Sequence, residues 1–403
     1  MFSESLLAKF KVFSMLLLAC WLVTGPSHQL LLAVSSLILL LCAFDTKKRR
    51  SYLKILKKLS FFFAIVTLSH SFYNPSSDIG AALRVPLGFG YSLTLYLGGF
   101  FGGLEAAARI AMVVLYGGWV RNTSSMEAVA EAFHSIFRVK WLSAVLLKCL
   151  ELIDGQGGHG RKKKSDGKHR DGGKEADATG PEKEKLSFKK IRVMTLNATE
   201  SLVTGAHKKL NQSRSDGVLD RFGQSADINI ITVCCLAIMA TKAFTILPGL
   251  PISPGHKNLI IVPIFLYAAA ATNSRFGGAK VGLAAGVLNF LLGYGKYGPL
   301  EVMQFFIPGL LADLMLPLVR RAPEKGLLSL LALGVMGGIL GAGRFTGNAL
   351  AVLIAGAPIT LILVMLPALA SQVFFGFLGS FLGSKKMIEL GAKYRESEVE
   401  ESA

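Results

Sequence analysis

Long apolar stretches, each closed by a turn or a cluster of charges, recur along nearly the whole chain. A bilayer core of about 30 Å takes about 20 apolar residues of α-helix, and tilt or thinning widens that to about 17–25. On that measure four spans fit the first part of the chain, at 10–25, 29–45, 59–73 and 92–120, the last long and glycine-rich. Segment 85–103 reads as a re-entrant piece or an additional span. Six more spans fit at 229–247, 258–273, 279–293, 301–319, 327–342 and 358–383. The pattern predicts an all-α integral membrane protein of about ten transmembrane helices in two bundles, 1–120 and 229–386. A less hydrophobic middle, 121–228, separates the bundles, and an acidic tail, 387–403, follows them.

Within the middle, Thr123-Ser124-Ser125-Met126-Glu127 reads as a helix start, because hydroxyl side chains accept from free N–H groups and an acid suits the first turn. Ala128, Ala132, Phe133, Ile136 and Phe137 then recur at helical spacing, which predicts an amphipathic helix. Residues 155–185 carry almost no apolar side chains, cannot offset chain entropy by burial, and are expected to be disordered. Helical patterning resumes over 186–214.

Composition agrees with the bilayer reading: hydrophobic residues fill 52% of 403 positions and charged residues 17%. The formal net charge of +18 would point to nucleic acid on a polar fold, but here the basic residues gather between apolar spans. Lys47, Lys48, Arg49, Arg50, Lys54, Lys57 and Lys58 mark a cytoplasmic loop by the positive-inside rule. So do Arg275 with Lys280, Arg320 with Arg321 and Lys325, and Lys385 with Lys386. This places both termini in the cytoplasm of a multi-pass cell-membrane protein and leaves no role for nucleic acid. The first apolar run is read as a retained helix, since a second begins just after Gly25-Pro26. Cys20, Cys42, Cys149, Cys234 and Cys235 show no metal-binding spacing and read as reduced packing residues.

Candidate chemistry is sparse. Gly155-Gln156-Gly157-Gly158-His159-Gly160-Arg161 has Arg161 where a phosphate loop needs lysine, and no strand precedes it. His159 and His169 lie in the same tract and read as parts of a solvated linker, with no metal site assigned. Polar groups at membrane depth are costly and therefore functional candidates: Glu105, Arg109, Lys242, Asn289, Gln304, Asp313 and Gln372. Each has a plainer reading. Glu105 and Arg109 neutralise each other across one helical turn, and Lys242 snorkels. Asn289, Gln304 and Gln372 bond between helices, while Asp313 caps a helix or pairs with Arg320 or Arg321. Gly278, Gly282 and Gly286, spaced by four, make a stripe suited to close helix packing. Pro248-Gly249-Leu250-Pro251-Ile252-Ser253-Pro254-Gly255-His256-Lys257-Asn258 reads either as a lid over a pocket or as a plain connection.

Two stretches carry a family resemblance. Gly103-Leu104-Glu105-Ala106-Ala107-Ala108-Arg109-Ile110, its helix, and Asn122-Thr123-Ser124-Ser125-Met126-Glu127-Ala128-Val129-Ala130-Glu131-Ala132 resemble the transmembrane T component of energy-coupling factor transporters. Ser213-Arg214-Ser215 is similar to the small-Arg-Ser motif with which that family docks its ATPases. The second block, with Pro251 to Ile260, Gly277-Gly278 and Gly309-Leu310-Leu311-Ala312-Asp313-Leu314, resembles the substrate-binding S component. The resemblance implies a fused importer subunit that is not itself an enzyme and carries no cofactor. Two ATP-binding cassette ATPase subunits on separate chains would hold ATP and Mg. It implies ATPase coupling through Ser213, Arg214, Ser215, Arg109, Thr123 and Glu127. It implies binding of a small micronutrient, a vitamin or its precursor before a metal ion, by His256, Lys257, Asn258, Lys242, Asn289 and Gln304. A membrane scaffold that recruits a cytoplasmic partner is the competing reading.

Overall fold

A computed structural model describes residues 4–23, 28–45, 49–72, 82–88, 91–160, 197, 199–208, 210, 226–241, 255–292, 298–320, 327–354, 362 and 365–402. Helix dominates these residues. The first block holds α1 (Glu4–Val23), α2 (His28–Phe44), α3 (Arg49–Ser71) and α4 (Leu97–Thr123). Between α3 and α4 lies an antiparallel hairpin, β1 (Ala82–Gly88) with β2 (Tyr91–Tyr96), pairing Ala82 with Tyr96 and Val85 with Leu93. The hairpin replaces the re-entrant piece or extra span expected at 85–103. Its physical cause is the alternation of Leu83, Val85 and Leu87, then Tyr91, Leu93 and Leu95, a two-residue period that a helix cannot place on one face.

The middle opens with α5 (Met126–Phe137), started by the Ser125 hydroxyl, which accepts the Ala128 N–H at 3.2 Å. Arg138, in the left-handed region at φ 52°, turns the chain into α6 (Lys140–Gly160). Helix α6 runs six residues into the tract expected to be disordered, because the apolar face of Leu142, Val145, Leu146, Cys149 and Leu150 is buried and propagates the helix beyond it. Residues 161–185 lie outside the described residues.

The second block comprises α7 (Ala226–Ala240), α8 (Asn258–Ala271), α9 (Gly277–Leu291), a 3-10 turn (Gly298–Val302), α10 (Met303–Arg320), α11 (Leu327–Ile354) and α12 (Leu366–Gly379). A π segment, Ser380–Ser384, joins α12 to α13 (Lys385–Ser402), so the chain stays helical through the acidic tail. Four helical stretches are long and apolar enough to cross a membrane: Leu97–Thr123, Pro299–Pro317, Leu327–Ile354 and Leu366–Tyr394. Those at 29–44, 226–240, 258–271 and 277–291 are apolar but shorter. At 1.5 Å per residue, helices of this length reach about 21–24 Å, less than a hydrocarbon core. The expected count of about ten comparable spans is therefore coarser in the structure: a helical membrane protein with four full-length apolar helices among the described residues. Helix α8 is apolar around its whole circumference because protein surrounds it; from Leu259 to Ala271 only Ala269 is not buried.

One core runs through both blocks. Val12 and Met15 of α1, Val129 of α5, Val145 and Leu146 of α6, Ile231 and Cys235 of α7, and Phe265 of α8 belong to a single buried cluster. Lys148 of α6 donates to the Asn229 side chain of α7 at 3.0 Å, and the Phe290 ring of α9 packs against Gly117 of α4.

Glycines set the helix spacing in the second block. A Cβ on Gly278 would lie 2.6 Å from the Gly309 carbonyl oxygen, one on Gly286 2.6 Å from Val302 Cα, and one on Gly282 would overlap the Phe305 carbonyl. A Cβ on Gly347 would lie 2.6 Å from Gln304 Cα, while Gly337 and Gly341 bring α11 onto α12. Overpacking such seams costs about 1–3 kcal/mol. Gly282→Leu is expected to lower the detergent Tm markedly, whereas Gly205→Ala, where a Cβ meets nothing within 4 Å, is expected to leave it unchanged or raise it. Equal melting curves for Gly282→Leu and wild type would rule out the seam as a spacing constraint.

Candidate functional site

The strongest concentration of buried polar groups lies at one end of the second block, where α8 begins, α10 begins and α12 passes the far half of α11. Asn258, fully buried, is its centre. Its Nδ2 donates to the Gln372 carbonyl at 3.1 Å, and its Oδ1 accepts from Arg344 Nη1 at 2.6 Å. One amide thus ties α8, α11 and α12 together. The Arg344 guanidinium stands 5.6 Å from the Phe305 ring centre of α10. Below it, Glu301 and Gln304, 4% and 7% exposed, are hydrogen-bonded to each other, with the amide donating to the carboxylate. Glu301 is also the carboxylate whose charge acts favourably on Arg344. Gln372 is 7% exposed, and its Oε1 meets no donor among the described residues.

The turn entering α8 is shaped for this contact. Gly255 has φ 110°, a conformation that L side chains rarely adopt, and a Cβ there would lie 2.9 Å from Gln372 Cα. The Gly255 carbonyl accepts the Asn258 N–H at 2.7 Å. Glycine at 255 therefore serves both the backbone angle and the approach to α12. Lys257 lies in the same turn, and burial together with the like charge of Arg344 holds its ammonium below the usual lysine value.

Lys257, Asn258 and Gln304, three of the residues expected to bind substrate, meet around Arg344. His256 sits in the turn beside them. Asn289, on α9, is fully buried with neither side-chain polar atom hydrogen-bonded among the described residues. It lies one turn beyond Gly286, towards the 3-10 segment, at the same end of the bundle. Lys242 and the remainder of the lid, 248–254, lie outside the described residues. Glu301 and Arg344 were not singled out from sequence. The apolar run 327–342 stops short of Arg344, so the arginine reads as lying beyond the membrane, whereas Gly343 and Gly347 against α10 carry the helix on to Ile354.

At the other end of the bundle two carboxylates hold the α8–α9 turn. Asp313 accepts the Gly278 and Ala279 N–H groups, each at 2.8 Å, capping α9. Asp227 accepts from Asn273 N at 2.8 Å and Ser274 N at 3.0 Å. Asp313 thus takes the capping role among the alternatives considered.

The coupling candidates are dispersed. Arg109 pairs with Glu105 one turn away on α4. Thr123 ends the same helix, about 21 Å along its axis. Lys11 of α1 donates to the Thr123 carbonyl at 3.0 Å and hydroxyl at 2.9 Å, and its ammonium lies 4.9 Å from the Trp119 ring centre. Glu127 is exposed in the first turn of α5. Ser213, Arg214 and Ser215 lie outside the described residues. Among the described residues no cluster of three His, Cys, Asp or Glu side chains is placed to hold a metal ion, and all five cysteines are free thiols.

Comparison with known protein families, curated proteins and solved structures gives no match. Fold and cluster together define a class: a helical membrane protein with a half-buried, positively charged polar cluster where α8, α10, α11 and α12 meet.

A second junction sits at that bundle's opposite end. His207, in the helical stretch 199–208, hydrogen-bonds the Tyr267 hydroxyl of α8 at 2.8 Å and stacks on Tyr394 of α13 at 4.1 Å. Burial pushes its pKa down to about 4. The folded state then binds fewer protons than the unfolded chain below pH 6.5, so the stabilisation is complete above pH 6.5 and is lost as pH falls towards 4. His207→Phe should flatten the stability–pH curve in this window by about one proton's slope; superimposable curves for wild type and variant would refute the buried neutral imidazole.

Proposed function

We propose that this chain is a membrane subunit of an ATP-driven importer of the energy-coupling factor type, with an energy-coupling first block and a substrate-binding second block. The observation that carries the reading is the polar cluster. It gathers Lys257 and Asn258 from the expected lid, Gln304 from α10, and Arg344 and Gln372 from α11 and α12, at one end of helices whose buried side chains are mostly apolar. Desolvating such groups is costly, and the interhelical bonds of Asn258 leave most Arg344 donors and the Gln372 side-chain oxygen without a partner among the described residues. A ligand is the natural counterpart.

On this reading α5, with Val129, Ala130, Ala132 and Phe133 buried and Glu127 and Glu131 exposed, presents a polar face to a cytoplasmic partner. The partner is a pair of ATP-binding cassette ATPase subunits from separate chains, which hold ATP and Mg. The four long and four shorter apolar helices, with α1 and α3, make about ten crossings in two bundles, with both termini cytoplasmic. The cargo is a small organic micronutrient.

Membranes expressing the chain with its ATPase pair are expected to accumulate cargo in an ATP-dependent manner, and mass spectrometry of the purified protein to reveal a retained small molecule. Arg214→Ala should reduce coupled uptake at least several-fold while leaving cargo retention intact. Undiminished uptake in that variant would remove Arg214 from the docking motif. A purified chain with neither ATPase partner nor retained ligand would instead be a membrane scaffold.

A further inference from the structure

We infer that the polar cluster around Arg344 is an anion site, and that its ligand is a small molecule bearing a carboxylate, gripped by Arg344 and Lys257. The inference rests on the reading of the second block as the substrate-binding half and names the class of substrate.

Three features of the cluster converge. The first is charge. Among the described residues of the cluster the formal charges are Lys257 and Arg344 against Glu301, and Glu301 is already engaged by the Gln304 amide. One positive charge is left in excess in a partly desolvated setting, where a buried cation without a counter-charge costs several kcal/mol. Lys257 stands next in sequence to Asn258, whose side chain holds Arg344, and the like charge of Arg344 acts unfavourably on its ammonium. A bound anion relieves both costs.

The second feature is the donor supply. A guanidinium presents five N–H donors in a planar fork matched to a carboxylate, and a single hydrogen bond, to Asn258 Oδ1, engages it among the described residues. The Asn258 bond fixes the orientation of the guanidinium. The Phe305 ring, 5.6 Å from its centre, flanks the group without competing for its N–H donors. The third feature is complementary in sign. Gln372 Oε1 is a buried acceptor with no donor among the described residues, and Asn258 Nδ2 on the Gln372 carbonyl ties that residue to the same junction. A ligand with a hydroxyl or N–H group near its carboxylate satisfies both sides.

The test uses the full chain in phosphatidylcholine nanodiscs at constant ionic strength and pH 7, with benzoate and its uncharged isostere benzamide as matched probes. Benzoate is expected to raise the Tm in a saturable manner and benzamide to leave it unchanged. Arg344→Gln should weaken the benzoate response about tenfold to a hundredfold, the range for a lost charged hydrogen bond. Arg344→Lys should fall between, since it keeps the charge and loses the fork. Lys257→Gln, in the half-buried turn, keeps the test open if Arg344→Gln fails to fold, and should weaken benzoate several-fold. Equal responses to benzoate and benzamide, no response to benzoate, or a response unchanged by both substitutions would overturn the anion site. A response obtained only by doping the nanodisc with phosphatidylglycerol would assign the cations to a lipid headgroup and overturn it equally. The two readings separate. ATP-driven uptake of an uncharged cargo, indifferent to Arg344→Gln, removes the anion site and keeps the importer. Arg344-dependent benzoate binding without any ATP-driven uptake keeps the site and removes the importer.

Discussion

The closest approaches among the described helices of the second block are between backbones, at glycines of α9, α10, α11 and α12. Lipid tails are as apolar as leucine, so helices in a bilayer gain little by hiding apolar side chains from one another; they gain by dense contact and by hydrogen bonds between helices. Gly278 against Gly309, Gly286 against Val302, Gly347 against Gln304 and Gly341 against Gln372 provide that density along successive interfaces. With backbones this close, short side chains reach across. Asn258 touches both α11 and α12 only because Gly255 and Gly341 let Gln372 approach from either side. A methyl group at any of these positions would push apart the helices whose separation sets the 2.6 Å and 3.1 Å bonds of that asparagine.

Close packing also explains why the polar groups sit where they do. Seams made of glycine and alanine need no polar reinforcement, so polar residues are an expense that the packing alone does not require. The two carboxylates at one end, Asp227 and Asp313, are accounted for by the backbone N–H groups of the α8–α9 turn. Arg344 at the other end is accounted for differently: one hydrogen bond, worth about 1.5–3 kcal/mol, and the favourable charge of Glu301 stand against a desolvation cost of several. On the proposed reading, that contrast marks Arg344 as the group a ligand would engage.

Much of this was legible in the chain and some was not. The amphipathic α5, its start at Ser125-Met126, and the small-residue stripe on α9 follow from spacing, which depends only on helical geometry. Gln304 stood out because polar groups are rare at membrane depth, whereas Lys257 and Asn258 came from the resemblance of Pro251 to Ile260 to a substrate-binding component. Arg344 was hidden by the same rule that found the others: a positive charge after an apolar run reads as the end of a span. Only the glycines on both sides of it, facing α10, reveal that the helix continues. The hairpin at 82–96 was overlooked because its leucines suit a span by hydropathy, although their period of two suits a strand. Burial of α8 around its whole surface was beyond hydropathy, which does not distinguish lipid from protein as the apolar neighbour.

Helix α8 joins the two ends of this arrangement. Asn258 begins it at the polar cluster, and Tyr267, nine residues on and about 14 Å along the axis, receives His207 at the far end. Protein interiors are packed like crystals and transmit displacement instead of absorbing it. Leu259, Phe265 and Tyr267 are all buried, and α12 and α13 run alongside in the same direction, with Gly379 against Leu259 and Gly391 against Tyr267. An axial shift of α8 therefore moves Asn258 and its guanidinium partner together with the stretch 199–208. That stretch is tied to α13 through the Tyr394 stack and the Glu200–Lys386 pair. On the proposed reading, a partner that pulls on the middle segment would act on the polar cluster through one rigid element, and a ligand held by Arg344 would act back with the same coupling free energy, as linkage requires.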